Sequence, residues 1–309
     1  VMIEANAAHA IPSTPPLQTV WGDFGEIGLI SGESAIDSSS PIDVVTLVTR
    51  GEEDDGVVFP LPVMLELESG KGLSGNLLSE QPCMVSSDPR GIDLVRIDAG
   101  NLSDADALLA NAAGIVLDLE NLPPLHDGEI LALMTGLRSQ LGDDKPVLIA
   151  GRVDRITNLH RMLRDQPIDG VMVRLTSGAG MTAPAALPRI GLSARDAGVS
   201  DTLHILDIPW DATSDDAAIA AAAGCGIIRA SPFSADDEIP STQKARAEAV
   251  EKWLSEFAAS LRGRLTDMGL DALEKLNRRH LRALEHDTAA QSGLRLAGYD
   301  RPLPQWMGP

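Results

Sequence analysis

Short apolar runs, each closed by a polar or glycine-rich turn, recur along this chain, and longer segments rich in alanine and leucine separate them. The pattern is clearest between Asp169 and Phe233. There the runs Gly170 to Leu175, Leu203 to Ile208 and Gly226 to Ala230 read as strands, joined by two helical connections. Connections of that length suit parallel strands and exceed what a hairpin needs. Upstream, the same reading predicts strands at Leu61 to Glu66, Pro82 to Ser86, Asp93 to Asp98, Gly114 to Leu119 and Pro146 to Gly151. Helices are predicted up to Ala112, over Asp127 to Leu141 and over Asp154 to Arg164. Eight strands alternating with helices predict an α/β fold, a (β/α)8 barrel of the TIM type, in preference to an open sheet.

The flanks break this rhythm. Residues 1 to 41 hold Pro12-Ser-Thr-Pro-Pro16, several glycines and Ser38-Ser-Ser-Pro41, which predicts an irregular N-terminal arm. Asp43 to Thr49 reads as a strand of a leading hairpin outside the main sheet. After Pro240-Ser241-Thr242, Ala247, Val250, Trp253, Leu254, Phe257 and Leu261 recur at helical spacing over Gln243 to Leu261. Further helices are predicted at Asp271 to Leu276 and Arg278 to Gln291, before an extended tail. The expected division is therefore an arm and hairpin over 1–60, a barrel core over 61–235, and a C-terminal helical cap over 236–309.

Composition narrows the class. The 309 residues are 44 % hydrophobic but only 3 % aromatic, so the core has to be built from Ala, Val, Ile and Leu, which suits a barrel interior. A formal net charge of −20 argues against a nucleic-acid partner, which calls for a basic face. Cys83 and Cys225 are too few for a disulfide scaffold or an iron–sulfur cluster. No apolar run reaches the length of a membrane span, and the expectation is a cytoplasmic protein.

Candidate chemistry gathers where the predicted strands end, the face on which barrels carry their sites. Asp98, Asp118, Glu120, Arg152, Arg174 and Asp207 all fall there. They read either as a ligand-binding cluster or as acids and arginines paired around the mouth. Gly70-Lys-Gly-Leu-Ser-Gly75 matches a dinucleotide fingerprint in its letters, but no helix opens on it before Pro82, so it reads as a tight turn. Ser177-Gly-Ala-Gly-Met-Thr182 follows a strand and opens a helix, and it reads equally as a plain βα turn or as a loop whose backbone amides would hold an anion. The six histidines are scattered, with no metal-binding spacing, and no G-x-S-x-G element marks a nucleophilic hydrolase.

In their order these motifs resemble the FMN-binding synthase domain of glutamate synthases, including archaeal-type and N-methylglutamate-synthase relatives. Val63-Met-Leu-Glu-Leu-Glu-Ser69-Gly-Lys-Gly-Leu-Ser74 is similar to the family's opening barrel strand and loop. Gly136-Leu-Arg138 through Asp144-Lys-Pro-Val-Leu-Ile149 is similar to its Lys-Pro-Val approach, and Ser177 to Pro184 to its glycine-rich loop. Asp207-Ile-Pro-Trp210 and Asp216 to Gly226 fall where its flavin-phosphate strands fall. Met268 to Leu273, His280 to Leu284 and Gly293 to Gly298 resemble its C-terminal segment. The resemblance implies FMN as cofactor, held by Ser69, Ser177, Gly178, Gly180, Thr182, Asp207, Arg229 and Ser231, with Lys71, Asp98 and Arg174 as catalytic candidates.

The departures point the other way. Ala150 stands where the family has its flavin-contacting lysine, and Ile208-Pro209 replaces paired glycines whose amides would hold the phosphate. Proline has no amide hydrogen to donate. The three-cysteine cluster motif is absent. The expectation is a glutamate-synthase-like barrel that has lost its flavin, holds no iron–sulfur cluster and no metal, and is kept as a structural or regulatory subunit beside a protein partner or paralogue. The alternatives are an active FMN enzyme acting on an amino acid or amine, and a barrel gripping a small anionic ligand through Arg152 and Arg174.

Overall fold

The computed structural model describes residues 2–3, 27–30, 63–69 and 83–297, except 143–144, 167, 176–185, 208–212, 231–242, 268–269, 271–274 and 285. In chain order the strands are β1 (Met2–Ile3), β2 (Ile27–Ile30), β3 (Val63–Ser69), β4 (Cys83–Ser87), β5 (Leu94–Ile97), β6 (Gly114–Asp118), β7 (Val147–Arg152), β8 (Gly170–Arg174), β9 (Leu203–Asp207), β10 (Ile227–Ala230), β11 (Leu281–Ala283) and β12 (Arg295–Leu296). The helices are α1 (Ala105–Leu109), α2 (Asp127–Leu141), α3 (Ile156–Asp165), α4 (Ile190–Ala197), α5 (Ser214–Ala223), α6 (Gln243–Asp267) and α7 (His286–Ser292). Strands β3 to β10 pair in chain order, each parallel to the next, and curl into a barrel.

Two features depart from the expected repeat. The barrel does not close by parallel pairing of β10 with β3. Instead β2 lies between them, antiparallel to both. The N-terminal region, expected to be irregular, thus supplies a strand to the sheet. The expected hairpin strand at 43–49 lies outside the described residues. The second departure is the connection from β4 to β5, where residues 88–93 contain no helix. Six residues extend to about 20 Å, enough to run back along a short strand. The return is fixed by Asp93, fully buried, whose carboxylate accepts from the Cys83 and Arg90 backbone amides at 2.9 and 2.8 Å and from the Arg90 guanidinium at 2.7 and 2.8 Å.

Alternation along the strands sorts the core into two layers. Met84, Leu94, Val116, Leu148, Ala150, Met172, Ile205 and Ile227 form one cluster, and register partners such as Ala150, Met172 and Ile205 place it in the barrel lumen. The intervening residues, among them Val85, Val95, Ile115, Leu117, Ile149, Val173 and Leu206, form the second cluster, with the helices packed outside. With few aromatic rings to fill space, the helical layer also depends on close approach. A Cβ at Gly191 of α4 would come within 2.7 Å of the Ala223 carbonyl oxygen at the end of α5. G191A is therefore expected to lower stability by about 1–3 kcal/mol, seen as a drop in the urea midpoint at unchanged slope.

The outer layer also holds a polar chain. His204 on β9 meets His160 on α3, with Nε2 to Nε2 at 3.0 Å, and both rings are buried. The Thr202 carbonyl, 2.8 Å from His204 Nδ1, can only accept, so that nitrogen carries the hydrogen. His204 Nε2 then accepts from His160 Nε2–H, and His160 Nδ1 accepts from the Ser193 hydroxyl of α4 at 2.8 Å. Burial first, and the neighbouring His204 second, push His160 down to about 4.

The region after β10 is mixed rather than helical throughout. Helix α6 packs on α5, the place of the helix that follows the last barrel strand. Arg278 to Gln291 is not one helix: a 3-10 turn over Arg278–His280 leads into β11, and α7 begins only at His286. Leu281 and Ala283 are fully buried, and β11 pairs with β1 and β12 in a separate three-stranded sheet. Side chains buried on both sides of a short strand do not show the periodicity of an amphipathic helix.

Candidate site at the barrel mouth

The lumen cluster ends upward in charge. Two residues beyond Leu94, Val116, Ala150, Met172 and Ile205 stand Arg96, Asp118, Arg152, Arg174 and Asp207. Period-two alternation puts all five on the lumen face. Register aligns Arg152 with Arg174 and Arg174 with Asp207 on successive strands, while Asp118 lies beside Ala150.

Asp118 is the centre of this layer. It is fully buried, and its Oδ2 accepts from Arg96 Nε at 3.0 Å, Arg174 Nη2 at 2.6 Å and Asn121 Nδ2 at 2.8 Å, with a further bond from Arg96 Nη2. Its Oδ1 accepts the Glu120 amide at 3.2 Å. Arg174 also reaches Asp207 Oδ2 at 3.3 Å through Nε. Two guanidinium groups thus face two carboxylates. Such a set is tolerable in a low-dielectric interior only when geometry and hydrogen bonds satisfy every member.

Arg152 is spent elsewhere. Its Nε donates to Asp154 Oδ1 at 3.1 Å and lies 3.6 Å from Glu120 Oε2. The mouth arginines whose side chains are described, Arg96, Arg152 and Arg174, are therefore all engaged with carboxylates. An incoming anion would have to displace an acid to use them.

Of the other residues singled out in the sequence, Asp98 is turned to its own loop. Its Oδ1 accepts the Gly100 amide at 2.7 Å, and its amide donates to Asn101, which also bonds the Ser86 and Arg96 carbonyls. Ser69 ends β3, and Arg229, next to last in β10, is the register neighbour of Asp207. Lys71, Ser177, Gly178, Gly180, Thr182 and Ser231 lie outside the described residues. The structure thus brings Arg174 and Asp207 together, and adds Arg96 and Asn121, which the sequence reading passed over. Arg96 had a signal: in Leu94-Val-Arg-Ile-Asp98 it alternates in phase with Leu94 and Asp98.

Beside the mouth, the loop after β6 and the start of α3 enclose a groove of about 320 Å³, walled by Leu122, Pro124, Leu159 and Met162. Glu120 Oε1 is buried there without a hydrogen-bond partner, 3.8 Å from Arg155 Nη1. The groove would suit a small apolar molecule bearing one donor. Among the described residues no group of three or more His, Cys, Asp or Glu side chains could hold a metal ion. The two cysteines are buried, and burial pushes both thiols up to about 12. No described helix is long and apolar enough to cross a membrane.

The described residues define an α/β barrel with an ion-paired mouth. Neither a family model nor a curated protein matches the chain. Solved structures similar to it include a flavocytochrome b2 variant with sulfite bound, at 11 % identity and a TM-score of 0.49, covering 81 % of this chain and 74 % of that one. A mandelate oxidase variant is similar at 12 % identity and a TM-score of 0.47, covering 81 % and 85 %. Inosine 5′-monophosphate dehydrogenase from Legionella pneumophila is similar at 16 % identity and a TM-score of 0.46, covering 90 % and 96 %.

Proposed function

We propose that this chain is a glutamate-synthase-like barrel that no longer carries out flavin chemistry and acts as a structural or regulatory subunit. One observation carries the reading: the layer where a ligand would meet the barrel interior is filled by Arg96, Asp118, Arg174 and Asp207, bonded to one another. FMN brings a phosphate dianion and a ring whose pyrimidine edge needs polar partners. The described side chains do not fit it, because each mouth arginine whose side chain is described, Arg96, Arg152 and Arg174, is committed to an acid. The sequence adds Pro209, without an amide hydrogen, where the resemblance calls for a phosphate donor, and Ala150 where it calls for a lysine. Ala150 lies in the lumen at 1 % exposure, beside Asp118 in register.

The test is titration of the purified protein with FMN, followed by visible absorbance and equilibrium dialysis. The expected result is no bound flavin up to about 100 μM, which corresponds to binding weaker than roughly −5 kcal/mol. Flavin that co-purifies near stoichiometry, or binds in the low micromolar range, overturns the proposal and supports the active FMN enzyme.

A further inference from the structure

In a chain with 45 acidic and 25 basic side chains, arginines converge at one place away from the barrel mouth. A pocket of about 440 Å³ lies between α4 and the small sheet, and Arg195, Arg278, Arg279, Arg282 and Arg295 line it. Five of the chain's 25 basic residues thus share one concave surface.

Several features hold these charges together against their mutual repulsion. Arg282 on β11 and Arg295 on β12 are register partners on adjacent strands, a placement that is destabilising for like charges. Arg282 is 2 % exposed, and its Nη1 donates to the Arg279 and Leu281 carbonyls at 2.7 Å each. Arg278 is fixed by the Pro188 carbonyl at 3.3 Å and by the Ser292 carbonyl. Burial, and then the charges of Arg195 and Arg189, lower its pKa. Backbone carbonyls thus position the Arg278 and Arg282 heads within the cluster. At the rim Arg195 pairs with Asp196 at 3.7 Å, but both side chains are well exposed and the pair is weak.

We propose that this pocket binds a small polyanion through a di- or triphosphate group. Guanidinium forks match phosphate oxygens two at a time, and a single monoanion would leave most of the cluster's charge uncompensated. The pocket's volume lies within the usual range for small-molecule sites. Its lining is mainly polar, so the phosphate group and not an apolar ring supplies the recognition. The site is independent of the barrel mouth and of the reading proposed for it.

Isothermal titration with inorganic pyrophosphate and, separately, with ADP tests the assignment at low ionic strength, where screening is weakest. One site per chain is expected, with affinity in the micromolar range. R279Q/R295Q is expected to weaken it at least about tenfold, a loss that two phosphate contacts readily account for. R161Q/R164Q, which removes the same charge from an exposed face of α3, is expected to leave it unchanged, and thermal melts of both variants confirm folding. ADP binding much tighter than pyrophosphate identifies a nucleotide as the occupant, while equal binding identifies the phosphate group alone. The proposal is overturned if neither probe binds, or if both double variants weaken binding equally.

Discussion

Replacing Asp118 by asparagine is expected to cost about 3–5 kcal/mol of folding stability, the range for breaking a buried charge set by removing one partner. The carboxylate sits fully buried between Arg96 and Arg174, so its loss leaves two guanidinium groups in one dry layer with only Asp207 described as a second counter-charge. Asparagine keeps the shape but offers a single neutral acceptor and an amide that faces donors. A domain of ordinary stability holds roughly 5–15 kcal/mol, so D118N would lie near its unfolding threshold. D98N is the contrast. Asp98 also ends a barrel strand, but it accepts a local amide at the rim, and its neutralisation is expected to cost only about 1 kcal/mol. Urea unfolding of the two variants decides the matter: equal, small losses would show that Asp118 holds nothing the barrel needs, and would reopen the mouth to a ligand.

The contrast between those two aspartates shows where the sequence was legible. Strands β6 to β10 were readable because fully buried parallel strands are short apolar runs between turns, and α2 was readable to its ends. Both signals are local. What was not readable depends on pairs far apart in the chain: Arg96 and Asp118 are 22 residues apart, Arg174 and Asp118 are 56 apart, and His160 and His204 are 44 apart. Nothing in Asp98 or Asp118 alone tells which one faces a loop amide and which two arginines. Strand β2 escaped for a related reason. Ile27-Gly-Leu-Ile30 is too short and too glycine-flanked to stand out, and its place in the sheet comes from β10 and β3 on either side. The helix-free return from β4 to β5 was hidden because its device, Arg90 folded onto Asp93, looks in sequence like any charged turn.

In mild acid, buried groups are expected to pull stability in opposite directions, His160 and His204 on one side and Asp216 on the other. His160 is held neutral, pushed down to about 4 from an ordinary value near 6.5. Below pH 6.5 the unfolded chain takes a proton that the folded chain refuses, so stability falls as pH drops from about 6.5 to about 4, by roughly 2–3 kcal/mol. Asp216 does the reverse. It caps α5 by accepting from the Thr213 amide and hydroxyl at 2.8 Å, but burial raises it to about 6. The folded chain keeps its proton where the unfolded chain has lost it, so stability rises as pH drops from about 6 to about 4, again by roughly 2–3 kcal/mol. The two slopes share a window and offset one another. Variants separate them. D216N removes the rising contribution and is expected to lose roughly 2–3 kcal/mol more than the wild type between pH 6.5 and 4. H160L/H204L removes the falling contribution and is expected to gain stability relative to the wild type over the same range. Each variant is read as its difference from wild type, which cancels the exposed carboxylates common to all three. Urea midpoints at four pH values suffice, and three parallel profiles would show that neither the histidine chain nor the buried cap titrates as its burial requires.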